Sequence, residues 1–108
     1  MPIGYTKEKL HLAVDSLVRA GSIQDRLRSA AFPLTLLQGG LAAPAFPNDQ
    51  ELQGRLDRVI DSLTSTPAVG DEGTIAASTR AMTNEDAESL ALEIFSLFYN
   101  ATDLGATR

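Results

Sequence analysis

The chain has 108 residues, a formal charge of −5 and no cysteine. That length suits one domain with a core large enough to fold unaided, and the missing thiols exclude a disulfide scaffold, a zinc–thiolate site and thiol catalysis together. Apolar residues at 44% and charged residues at 21% are globular proportions, too apolar for disorder.

The periodicity is helical throughout and predicts an all-α bundle of four main helices plus one short one, in a single domain over 1–108. The first helix is expected over about 6–20, where Leu10, Ala13, Val14, Leu17 and Val18 share a face. Gly21 is a natural stop, and Ser22 with Asp25 three residues on predicts the cap of a second helix over about 22–38. Pro33 falls inside it, removing a donor and crowding the carbonyl of Ser29. Because Leu34 and Leu37 stay in phase with Ile23 and Leu27, the reading is a helix kinked at Pro33, with two short helices as the alternative.

Gly39 to Pro47 reads as a loop whose Leu41 and Phe46 plug the edge of the core. Asn48 and Glu51 stand in capping-box spacing and open a third helix over about 48–65. Its stripe is Leu52, Leu56, Val59, Ile60 and Leu63, and Glu51 and Arg55 are placed for an i, i+4 ion pair. A second loop leads to a short helix over about 74–82. Thr83, with Asp86, then caps a last helix over about 83–101, and 102–108 is read as a frayed tail. The expected core is Leu10, Val14, Leu17, Leu27, Leu34, Leu56, Val59, Leu63, Leu90, Ile94 and Phe98.

No apolar run approaches the ~18 residues of a membrane span. The first residues, Met1 to Lys9, lack a signal-peptide stretch, so a cytoplasmic location is expected. Charge is unevenly spread: residues 1–38 carry five cations against three acids, and 39–108 carry four against eleven. A field of that sign favours a basic partner and disfavours direct nucleic-acid binding.

Candidate chemistry is sparse. His11 is the sole histidine, and Glu8–His11 has the spacing of one half of a di-iron carboxylate site, but the second half is missing. The expected role of the imidazole is a pair with Asp15. Serines are plentiful, yet none lies in a strained or glycine-rich elbow with an oriented base. Gly70-Asp71-Glu72-Gly73 precedes a helix but carries two carboxylates and no phosphate-binding lysine. No metal, cofactor or enzymatic activity is therefore expected.

The last helix is more apolar than a bundle position requires. Its apolar residues span roughly 220° of the wheel, about twice the arc that one-sided packing uses. Leu90, Ile94, Leu97 and Phe98 suffice for the core, which leaves Leu92, Phe95 and Tyr99 at i, i+3, i+7 with Glu88 beside them. Either this helix is central and wrapped, or the second stripe is a docking face of the aromatic kind common at interfaces.

The reading that follows is a small acidic non-enzymatic interaction protein acting by steric blockade, of the immunity-protein, antitoxin or phage-inhibitor kind. Its contacts would be Leu92, Phe95 and Tyr99, with Glu88, Asp71 and Glu72 as steering charges. Two alternatives remain at this stage. One is a structural subunit of a homo-oligomer, such as a homodimer through the last helix. The other is a helix-turn-helix-like DNA-binding regulator using Arg19, Arg26 and Arg28 around the tight turn at Gly21.

Overall fold

Capping side chains set three of the helix starts. The structure is a computed structural model; it describes residues 3–37, 44–67 and 73–106, with side chains from residue 4 and only as far as residue 102. Among the described residues there are five helices and no strand: α1 (Ile3–Leu17), α2 (Ile23–Thr35), α3 (Gln50–Thr64), α4 (Gly73–Ala81) and α5 (Asn84–Ala106).

α1 stops at Leu17, not near Ala20. Val18 and Arg19 donate back to the carbonyls of Asp15 and Ser16, three residues away, which tightens the last turn. The guanidinium of Arg26, from the next helix, then takes the Leu17 carbonyl at 2.9 Å. Val18 consequently leaves the apolar stripe it was expected to join and is 74% exposed. Gly21, at a φ of 120°, reverses the chain.

α2 opens as expected on Ser22, whose hydroxyl accepts from the Asp25 N–H at 3.1 Å. It ends at Thr35, soon after Pro33 has removed one donor from the ladder. Its apolar phase nevertheless runs through, and Leu27, Ala30, Ala31, Leu34 and Leu37 are all fully buried.

Ahead of α3, Phe46 is buried at the core edge, while Leu41 lies outside the described residues. The cap of α3 is Asp49 and not Asn48: its carboxylate accepts from the Leu52 N–H at 3.1 Å. That places Glu51 one position too early to reach back as a capping-box acid. Gln53 contributes to the offset by accepting the Phe46 N–H at 2.8 Å, and Thr6, buried on α1, donates to the Ala45 carbonyl. The loop is thus pinned from two sides.

α4 begins at Gly73, at a φ of 81°. Its buried Ser78 accepts the Thr66 N–H, so the end of α3 and the middle of α4 share a hydrogen bond. Thr83 caps α5 through the Asp86 N–H at 3.1 Å. α5 continues helically to Ala106, beyond the end near Ala101 that the sequence suggests: Ala101 is buried, and Thr102 donates to the Phe98 carbonyl, so nothing stops the helix there.

α1 and α2 form a hairpin, α5 packs against α1, α2 and α3, and α4 closes the side between α2 and α3. Of the expected core, Leu10, Leu17, Leu27, Leu34, Leu56, Val59, Leu63 and Ile94 are buried, with Leu37, Leu52, Ile60 and Leu97 beside them. Val14, Leu90 and Phe98 are only partly buried and pack on its rim. Each fully buried leucine contributes about 2–3 kcal/mol through the water it sheds.

Candidate interaction surface

α5 turns about 100° per residue, so its apolar residues cannot all face inward. Ala87, Ile94, Leu97 and Ala101 point into the core and are fully buried. Leu90, Ala91 and Phe98 occupy the flanks. Leu92, Phe95 and Tyr99 fall on the far side and remain 70%, 50% and 65% exposed. Three helices pack on α5, and one face is left open. With aromatic side chains offering some 150–250 Å² each, the stripe presents about 400 Å² of apolar surface. That is as large as the largest patch on many monomers.

The borders of the stripe are fixed by its neighbours. On one side Phe98 meets the ring of His11 at 5.8 Å between centroids, tilted by 48°. This places the flank of α1 that carries Glu8, His11 and Asp15 along the Phe95 edge. The expected His11–Asp15 pair does not form. Asp15 accepts from Arg19 at 2.7 Å instead, because a guanidinium brings a full charge and several donors to the carboxylate. The imidazole covers an aromatic face.

On the other side Arg55 reaches from α3 to Glu93 at 2.6 Å and to the Ser96 hydroxyl at 2.8 Å. The expected Glu51–Arg55 pair gives way to this contact, which joins two helices and leaves the arginine side chain only 20% exposed. Glu93 is thereby tied up, whereas Glu88, one turn before Leu92, is exposed. Asp71 and Glu72, the other expected steering charges, lie outside the described residues.

A smaller apolar surface escaped the sequence reading. Phe32, on the outer side of α2, and Leu36, the residue that follows the helix, stand four apart at 65% and 56% exposure, and Leu12 on α1 is 43% exposed. Their signal was present, since Phe32 and Leu36 both lie about 200° from Leu34 on the wheel.

Of the arginines around the α1–α2 turn, Arg28 is exposed and Arg19 stays 70% exposed within its ion pair. Arg19 is paired with Asp15, and Arg26 is turned inward on Leu17. Among the described residues no three His, Cys, Asp or Glu side chains gather as a metal site. A shallow groove of about 430 Å³ between α3 and α5 carries the hydroxyls of Ser62, Ser65 and Ser89 beside Asp86 and Glu93, with no histidine among its described lining residues. No helix is long and apolar enough to cross a membrane, among the described residues. Compared with known proteins, the chain matches no family model, no curated protein and no solved structure.

Proposed function

We propose that this chain is a non-enzymatic protein-interaction module that occupies another macromolecule through the outer face of α5 and blocks it sterically. Small acidic inhibitors, antitoxins and immunity proteins work in this way. The observation that carries the reading is the open stripe: Leu92, Phe95 and Tyr99 stay largely in water although α5 already fills its share of the core. Covering about 400 Å² of such surface would contribute some 10 kcal/mol before the costs of association. The acid-rich second part of the chain adds attraction to a basic target, chiefly through the association rate.

The test is affinity capture from the native host with the wild type and with Phe95→Asp and Tyr99→Ala. Both substitutions fall on exposed positions, so folding should be retained, as read from the unfolding midpoint. The reading expects a partner held by the wild type and released by Phe95→Asp. If both variants fold normally and keep every partner, it fails.

A further inference from the structure

We infer that the segment seated on the outer face of α5 is a basic amphipathic helix of another protein, not a second copy of this chain; the inference rests on the docking reading above. Two independent features point there. The first is spacing. Leu92, Phe95 and Tyr99 repeat at i, i+3, i+7, the a–d–a pattern of a helix–helix seam. On a 23-residue helix this makes a straight ridge, which fits the groove of another helix better than it fits an extended strand. Small residues border the seam, with Ser89 on one side and Ala91 on the other, while Ser96 carries the Arg55 guanidinium.

The second feature is charge. α5 contains Glu85, Asp86, Glu88, Glu93 and Asp103 and no lysine, arginine or histidine. Only Glu93 has a cationic partner, Arg55, among the described ion pairs. Continuing the same heptad toward the amino terminus puts Glu88 and Glu85 on the seam itself. On α1, around His11, Glu8 is balanced by Lys7, and the carboxylate of Asp15 is already taken by Arg19. Pairing α5 with another α5, in either direction, would bring carboxylates together with no cation on either α5 to meet them. Like charges placed so closely oppose association. A helix with aliphatic residues at a and d and lysine or arginine at e and g satisfies both the ridge and the acids.

The experiment uses the full chain and two fluorescently labelled synthetic helices of about three heptads with leucine at a and d. One carries lysine at e and g, the other glutamate. Fluorescence anisotropy should show the lysine helix bound at least about tenfold more tightly than the glutamate helix. The gap should close as salt is raised from about 0.05 to about 0.5 M. Glu88→Lys should narrow it, Tyr99→Ala should weaken both complexes, and the wild type alone should sediment as a monomer.

Equal affinities for the two helices overturn the basic partner but leave docking through α5 standing. Binding of neither helix also overturns the inference. A wild-type dimer that Phe95→Asp dissociates makes the second copy the occupant and overturns it as well. The docking reading itself falls when the partner captured from the host is retained by both stripe variants.

Discussion

Leu92 and Leu97 lie five residues apart on the same helix, and truncating each to alanine separates the two faces of α5 energetically. Leu97 is fully buried. Its loss removes the transfer free energy of the side chain and leaves a cavity, so Leu97→Ala should cost about 2–5 kcal/mol. Leu92 is 70% exposed, so less than a third of its surface is covered by the fold. Scaled to a fully buried leucine, that fraction is worth about 0.5–0.8 kcal/mol, and the better helix propensity of alanine returns a few tenths. Leu92→Ala should therefore cost no more than about 0.5 kcal/mol. Urea unfolding followed by circular dichroism resolves the difference, provided both variants keep the wild-type m-value. In thermal terms, a shift of about 2–4 °C contrasts with one of 10 °C or more. A loss above about 2 kcal/mol for Leu92→Ala would mean that the side chain is covered in the folded state. The open stripe would then not exist.

Three further outcomes test the packing that positions this face. Asp49→Ala should cost about 1 kcal/mol by removing the cap of α3, while Asn48→Ala stays within about 0.5; a reversed order would move the cap back to Asn48. Gly54→Ala should stabilise by about 0.5–1 kcal/mol, because an added Cβ meets Arg58 Nη1 at an ordinary 3.6 Å, and a loss of stability would show that the site is tighter than this. A double-mutant cycle on Arg55→Met and Glu93→Gln should give a coupling of up to about 1 kcal/mol, reduced by added salt. A coupling of zero would mean that the Arg55–Glu93 pair adds nothing to the joining of α3 and α5, leaving the Arg55–Ser96 hydrogen bond to do so.

The parts of the fold that were legible in the sequence are those governed by neighbours in the chain. Ser22 with Asp25 and Thr83 with Asp86 cap their helices locally, and the stripe of α3 is buried as its spacing indicates. The departures come from groups far away in sequence. α1 ends at Leu17 because Arg26 takes its last carbonyl, which no periodicity in α1 reveals. Arg55 prefers Glu93 on α5 to Glu51 on its own helix, since the cross-helix contact is better shielded from water. Asn48 and Asp49 are equally good capping residues, and the Gln53–Phe46 tether that accompanies the chosen register lies outside any capping pattern.

The candidate surface was readable as an excess of apolar arc on α5, an argument that needs only the helical repeat. Its borders were not, because His11 against Phe98 and Arg55 against Glu93 exist only once three helices are assembled. Phe32 and Leu36 show the opposite failure. The same wheel argument applied to α2 would have placed them outside.

Photo-crosslinking in the native host addresses the central claim most directly. A benzoyl-phenylalanine in place of Phe95 keeps a ring at a half-exposed position, and the same group at Asp57, exposed on α3, serves as the control. The account predicts an adduct with a different, basic polypeptide from position 95 and none from position 57. An adduct of twice the chain's own mass, equal yields from both positions, or no adduct from position 95 would contradict it.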